Sequence, residues 1–498
     1  MEQTKVLVVF VAVWSISMAL PVLVDEDTNN RIARTVNNNN NKTAFENIED
    51  TNKGVVRPLV HGDIAIKFFR SAVSDADLLW PASQNGVVFI PYVISSDYPF
   101  YEKWIINDTI NQFNLMTCLK FVTRTTQRDY VSIESGQGCW SYIGKVGGKQ
   151  VVNLDRTGCM GSGTVQHELM HALGFYHEQS RSDRDNYVTI NYQFIDRPNW
   201  PNFEIEDTNN LGLPYDYWSV MHYQSTAYSN TPGQPTIVAK PDPTMPIGQR
   251  VGMSHLDLMK INKLYQCNVC RAKLTSPTGT FTSEGISFGQ DGSCLWVIET
   301  EIMKMIHLQL TGISIPSSPG CADSYIKIYD GYSKTDIVLL NKTCGDITLP
   351  PIISSQNSMM LEFVSSQDPA LTMFSGVYKT ISYGRTFTRD NGIIISPFYG
   401  LVYPNNADAE WSIIAPAQFR VYLGFINFQV EDSLDCSSDS LTVIDGSNAT
   451  LPVLGTFCGI KRPPPVTSPG NSMVLRFHSD DQTSARGFYL IYRFVPTV

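Results

Sequence analysis

Residues 167–177, HELMHALGFYH, bring three imidazoles and one carboxylate into a short segment. His167 and His171 are four apart, so on a helix they leave the same face one turn apart and both ring nitrogens reach one ion. Gly174 falls where a left-handed residue ends a helix and turns the chain, which brings His177 to that ion from outside the helix. Three neutral nitrogen ligands at about 2.0–2.1 Å leave one position of a zinc ion open, the pattern of a catalytic rather than a structural site. Water in that position ionises near a pH of about 7. Glu168, beside the first ligand, stands where it can take the proton from that water and later hand it to a leaving amine. The chemistry encoded is metal-assisted hydrolysis of an amide. Surface histidines on an ordinary helix have no need of Gly174 and His177 at these spacings.

Elements must hold those groups in place. The helix carrying His167 and His171 is expected to start near Ser162, and a second long helix lies over FYEKWIINDTINQFNLMT, residues 100–117, where apolar residues recur at helical spacing. Val- and Ile-rich strand patterns precede the histidine helix, and mixed, loop-rich sequence follows it. IGQRVGMSHLDLMKINKLYQC then reads as a closing helix with Leu256, Met259, Ile261 and Leu264 partly buried. This is an α+β arrangement: a twisted sheet, two long helices, and a loop-rich lower half.

The motif continues HEQSRSDRDNYVTINY, with Glu178 directly after the third histidine, and SVMHY follows at residues 219–223. With these residues the sequence resembles the astacin group of metzincin zinc endopeptidases. The resemblance implies that Met221 lies beneath the metal and that Tyr223 is a displaceable zinc ligand whose phenol helps to hold the oxyanion. LVHGDIAI, residues 59–66, is similar to the family's propeptide motif, with Val60 where the family has phenylalanine. That likeness implies that Asp63 ligates zinc in the zymogen and displaces its water, and a carboxylate is chemically suited to this. Arg70, in KFFRSAV, is the expected site of a trypsin-like activating protease, so the mature chain starts at Ser71. By analogy with the family, the freed amino group of Ser71 reaches Glu178 through water. LLWPASQNGVVFIPYVI looks like the start of the family's mature domain. The resemblance also implies disulfides joining Cys118 to Cys267 and Cys139 to Cys159.

The rest of the composition suits an extracellular protein of several domains. The chain has 498 residues, ten cysteines and a formal net charge of -10, which offers no basic patch to nucleic acid. Residues 6–19 are a short apolar run after Lys5, with Ser17 and Ala19 as small residues at a cleavage position, and read as a signal peptide. No later apolar run approaches the roughly 18 residues of a membrane span, so no membrane anchor is expected. Acceptor sequons for N-glycosylation stand at Asn41, Asn107, Asn341 and Asn448. The polar stretch after the signal, including TVNNNNNKT, lacks the apolar content for a core and is expected to be extended or disordered. The expected divisions are a signal peptide at 1–19, a propeptide at 20–70, a catalytic domain at 71–269, and two further domains at 270–382 and 383–498.

Those last two are an internal repeat. YIKIYDG, TCGD, NSMMLEF and SGVY recur in order as LTVIDG, FCGI, NSMVLRF and RGFY, with Asn357 of the first copy matching Asn471 of the second. Short alternating strands between turn residues indicate an antiparallel sandwich in each copy. Both copies resemble CUB domains, which implies disulfides Cys270 with Cys294, Cys321 with Cys344, and Cys436 with Cys458. Many CUB domains hold calcium, and Glu431, Asp439 and Asp480 of the second copy match the ligand positions, supplying hard oxygens from separate loops. The first copy has Pro316 and Ser324 at corresponding places and is expected to lack the ion.

Two readings compete. In one, an active endopeptidase holding one zinc ion uses its CUB domains to engage protein or peptide substrates, matrix or other proteins. In the other, a catalytically silent protease fold serves as a binding protein. The retention of Glu168 and of every histidine favours the enzyme. Glu178, Tyr223 and an aspartate in the propeptide motif disfavour other metzincins.

Overall fold

The computed structural model describes residues 42–66, 78–249 and, apart from short breaks, 252–497. The signal segment 1–19, Asn41, Arg70, Ser71 and Asn448 lie outside the described residues.

The expected polar coil before the catalytic domain contains a helix. Helix α1, Ala44–Thr51, is started by a capping box in which Thr43 accepts from the backbone of Glu46 and Glu46 accepts from that of Thr43. It turns Phe45 and Ile48 inward, and both are buried in the catalytic domain's core. Over Ala44–Thr51 the expectation of an extended or disordered stretch is therefore corrected, while residues 20–41 lie outside the described residues. The segment lacks apolar content for a core of its own, but it borrows one from the domain it covers.

In the catalytic domain a five-stranded sheet runs Leu119–Thr123, Val88–Ile94, Tyr130–Glu134, Lys149–Leu154, Cys139–Trp140. The first three pairings are parallel, and the short edge strand alone is antiparallel to its neighbour. Helix α2, Phe100–Met116, buries Ile106, Ile110, Phe113 and Met116, a stripe at three- and four-residue spacing that faces the sheet. Helix α3, Ser162–Ala172, is buried nearly throughout, as suits a helix running through the middle of a domain. Its last carbonyls are satisfied by Trp80, whose indole donates to Ala172, and by Tyr265, whose hydroxyl donates to Leu173. Gly174 follows at φ +101°, the left-handed conformation the sequence required there.

The closing helix α4 is shorter than its sequence pattern, His255–Leu264, with a second capping box between Ser254 and Asp257. Ile261 is buried and Leu256 and Leu264 are partly so, but Met259 is 39% exposed and Leu258 lies inside in its place. The helix is rotated from its expected phase because Asp257 and Lys260 also face inward, where each has a charged or polar partner.

All five expected disulfides are present: Cys118–Cys267, Cys139–Cys159, Cys270–Cys294, Cys321–Cys344 and Cys436–Cys458. The two repeats fold alike, each a sandwich of two sheets. In the first copy one sheet runs Cys270–Leu274, Ser293–Glu299, Ser358–Val364, Tyr325–Asp330, Ile337–Thr343; in the second the equivalent order is Thr386–Phe387, Asp408–Ile414, Ser472–His478, Ser440–Asp445, Val453–Phe457. The expected antiparallel sandwich needs one amendment: the first strand of each copy pairs parallel to the second.

The first sandwich is fused to the protease. Leu295, Val297, Tyr329 and Met360 belong to the same buried cluster as the catalytic domain's core. Across the junction Tyr332 donates to the Asp108 carboxylate on α2, and Arg271 donates to the Leu115 carbonyl. Asn107 and Asn341, of the sequons, are both exposed.

Candidate active site

Helix α3 presents His167 and His171, and the turn at Gly174 returns the chain so that His177 faces them. All three rings are buried. The ring nitrogens have divided tasks. His167 Nδ1 lies 2.9 Å from the Val220 carbonyl and His171 Nδ1 2.7 Å from that of Phe175. Carbonyls only accept, so both Nδ1 atoms carry the proton and both Nε2 atoms present lone pairs. Burial pushes His177 down to about 3 and lowers His171 as well, which keeps these rings in the neutral form that binds a metal.

The Nε2 atoms of His167 and His177 are 3.1 Å apart. The Asp63 carboxylate closes the cluster, 3.0 Å from His167, 3.2 Å from His177 and 3.4 Å from His171. Ligands about 2.1 Å from a tetrahedral ion stand about 3.4 Å from one another, so the spacing suits zinc. Two facing nitrogen lone pairs beside a carboxylate are mutually repulsive without a cation between them. Consistent with this, Asp63 Oδ1 and His171 Nε2 are buried with no hydrogen-bond partner. These four residues fit a zinc ion.

Glu168 is fully buried next to this cluster, and neither of its oxygens has a hydrogen-bond partner. Burial, and then the nearby Asp63 charge, push its carboxyl well above the usual carboxylate range. Its two unpartnered oxygens beside a metal position leave this carboxyl available for proton transfer.

Asp63 reaches the histidines because residues 42–66 lie in the cleft. The Ser141 carbonyl accepts from Ala65, and the Asp63 carbonyl accepts from Ser141, which pairs the segment with the edge of the sheet. Asn52 donates to the carbonyls of Gly62 and Cys139 and accepts from the Cys139 amide. Phe45 stacks on Tyr223 with ring centres 3.7 Å apart, and Glu49 accepts from Gln224 and from the Tyr228 amide. Gly62 sits at φ +85°, and a Cβ there would lie 1.9 Å from Tyr228 Oη, so only glycine passes.

The remaining expected site residues are close by. Met221 is buried and its carbonyl accepts from the Glu178 amide. Tyr223 is fully buried, and its hydroxyl donates to the His61 carbonyl of the blocking segment rather than pointing at the histidines. Glu178 is buried between Lys260 at 2.5 Å and Arg181 at 3.1 Å, and also accepts from the Asp216 amide. Asp257, which the sequence did not mark, fixes the turn that carries Met221: it accepts from Ser219 Oγ and the Val220 amide. The S-x-x-D spacing from Ser254 is the one local trace of that role.

In the second sandwich Glu431, Asp439 and Asp480 come together. Asp439 is buried, accepts from Tyr403 and from the Asp480 amide, and Glu431 Oε2 has no partner. Burial and the neighbouring carboxylates raise Glu431, and the same causes raise Asp439. In the first sandwich the matching Ser324 is buried with its hydroxyl 3.4 Å from that of Ser365.

A sheet-and-helix domain with three converging imidazoles and a buried glutamate beside them defines a metal-dependent hydrolase, and two sandwiches follow it. Comparison with known proteins narrows the class. Residues 73–266 match the astacin family, peptidase family M12A, and residues 270–378 and 383–492 each match the CUB domain. Embryonic protein UVS.2 of Xenopus laevis is 42% identical over 452 residues, covering 90% of this chain and 87% of that protein. Astacin-like metalloendopeptidase of Gallus gallus is 40% identical over 371 residues, covering 74% of this chain and 90% of that one. Among solved structures, high choriolytic enzyme 1, a hatching enzyme zinc-protease from Oryzias latipes, is 48% identical, with a TM-score of 0.38, over 41% of this chain and 98% of that one. The chain belongs to the astacin family of zinc metalloendopeptidases and carries two CUB domains after its protease domain. Among the described residues no helix is long and apolar enough to cross a membrane.

Proposed function

We propose that the chain is a secreted zymogen whose endopeptidase is held latent by Asp63 and released by cleavage after Arg70. The observation that carries this reading is the buried Asp63 carboxylate, 3.0 Å from His167 Nε2 and 3.2 Å from His177 Nε2, in the position water must occupy. His167, His171 and His177 would hold a zinc ion, which would supply a Lewis acid to polarise the scissile carbonyl and acidify a water. Glu168 takes the proton from the attacking water and delivers it to the leaving nitrogen, and burial, by raising the pKa of its carboxyl, favours the first of these transfers. Tyr223 loses its acceptor, the His61 carbonyl, when the segment leaves, and its hydroxyl is then free to hold the developing oxyanion. Buried, it stays protonated, because its pKa lies well above the usual phenol value.

Cleavage after Arg70 makes Ser71 an amino terminus. Its ammonium joins the Glu178 site through water, beside Lys260 and Arg181, which already neutralise that carboxylate. Glu431, Asp439 and Asp480 hold a calcium ion in the second CUB domain, where a cation relieves the repulsion among clustered carboxylates. The signal segment and the sequons at Asn41, Asn107, Asn341 and Asn448 support export of the product as a glycoprotein. Its substrates are extracellular proteins, and the CUB pair engages them, matrix or partner proteins.

Latency is tested with Asp63→Ala in the uncleaved chain. This variant should hydrolyse peptides while the parent zymogen stays silent. A silent variant that becomes active on cleavage would show that the rest of the segment blocks the cleft without Asp63.

A further inference from the structure

The blocking segment seats a second side chain as deeply as Asp63. His61 is 3% exposed, its Nε2 is 2.7 Å from Glu206 Oε1, and its Nδ1 is 3.4 Å from Ser180 Oγ. A carboxylate only accepts, so the imidazole donates to Glu206 and receives the Ser180 hydroxyl. The rings of Tyr176 and His177 flank it, with centres 6.3 Å and 6.1 Å away.

The pocket does not depend on the segment that fills it. The Glu206 amide donates to the Ser180 carbonyl at 2.8 Å, which ties the Glu206 loop to the 3₁₀ turn Glu178–Ser180. That turn starts directly after His177, so the backbone carrying Glu206 and Ser180 is held close to the metal position. With His61 in place the Glu206 side chain is still 33% exposed, at the rim of the cleft. Once the segment leaves, its described neutral side-chain donor leaves with it, and a carboxylate in a partly dry cleft then attracts a cationic donor and repels an anion.

A separate contact points the same way. Arg57 lies 4.2 Å over the Trp140 ring and donates to Tyr142 Oη at 2.9 Å, so an aromatic shelf on the sheet edge receives a cation. The net charge of -10 draws basic segments toward the molecule.

We propose that Glu206 and Ser180 form an acidic subsite beside His177, by which the activated protease selects substrates with a basic side chain next to the scissile bond. The proposal rests on residues 42–66 being a removable plug. Its test uses the activated, zinc-loaded full chain and matched peptides with Lys, Gln or Glu at each position flanking the cleaved bond. At one position the kcat/KM ratio of Lys to Gln should be about 3- to 10-fold. Glu206→Gln should bring that ratio to about one, and Glu206→Lys should bring it below one and make the Glu peptide preferred over the Gln peptide. A ratio near one at every position in the parent, or a Lys preference untouched by Glu206→Gln, overturns the subsite. The Gln peptides report separately on the underlying reading: hydrolysis without selectivity removes the subsite alone, and no hydrolysis removes both.

Discussion

Replacing Gly62 with alanine, in a chain made uncleavable by Arg70→Ala, should release activity without any cleavage. Gly62 has φ +85°, a conformation that costs an L-residue about 1–2 kcal/mol. The new Cβ would also lie 1.9 Å from Tyr228 Oη and 3.3 Å from Phe45 Cζ. Tyr228 is boxed in by Phe45, Phe203 and Tyr223, each with its ring centre 6.0 Å away, so it has little room to yield. Relieving such an overlap costs on the order of 1–3 kcal/mol. Both costs fall on the closed form alone, because a detached segment is free of the left-handed turn and of Tyr228. A total near 3 kcal/mol shifts the closed-to-open ratio about 100-fold, at about 1.4 kcal/mol per tenfold. The assay is the initial rate on a fluorogenic peptide, compared with the uncleavable parent. Gly54→Ala is the control: φ is +88° there, but nothing lies within 4 Å of the added Cβ, so only the backbone cost applies. A Gly62→Ala zymogen as silent as the parent, or a Gly54→Ala zymogen equally active, would refute the argument.

The junction between protease and first CUB domain should respond to pH. Burial pushes Asp108 up to about 6 from an ordinary value near 4. The folded state therefore holds this proton more tightly than the unfolded one, and the associated stability is full below about 4 and is lost as pH rises through 6. Thermal scans should show that slope, on the order of 2 kcal/mol across the window, and Asp108→Asn should flatten it; an unchanged slope would exclude Asp108 as its source. In the second CUB domain, added calcium should raise the melting temperature of the parent, and Asp439→Asn should abolish the shift. Equal shifts in both proteins would contradict the assigned ligands.

The zinc cluster was legible because its geometry is local. Four-residue spacing on a helix and a glycine at its end place His167, His171 and His177 with little help from elsewhere. Asp63 was legible only through a family likeness, since nothing in its own neighbourhood says which cleft it enters. Helix α1 carried its own signature, Thr43-x-x-Glu46, but the surface that buries Phe45 and Ile48 belongs to a distant part of the chain. The phase of α4 failed for a related reason. Asp257 and Lys260 face inward to serve the turn at Ser219 and the Glu178 carboxylate, and a polar residue with a buried partner breaks any pattern read from apolar spacing alone. His61 and Glu206 lie 145 residues apart, so no sequence window contained that contact.

The central claim is best tested by peptide hydrolysis with protein cleaved after Arg70. Activity should appear on cleavage, vanish with a chelator and return with added zinc, and Glu168→Ala should lower the rate at least about 10²- to 10⁴-fold while leaving the fold intact by circular dichroism. Hydrolysis that survives complete metal removal, or a Glu168→Ala protein as active as its parent, would contradict the account.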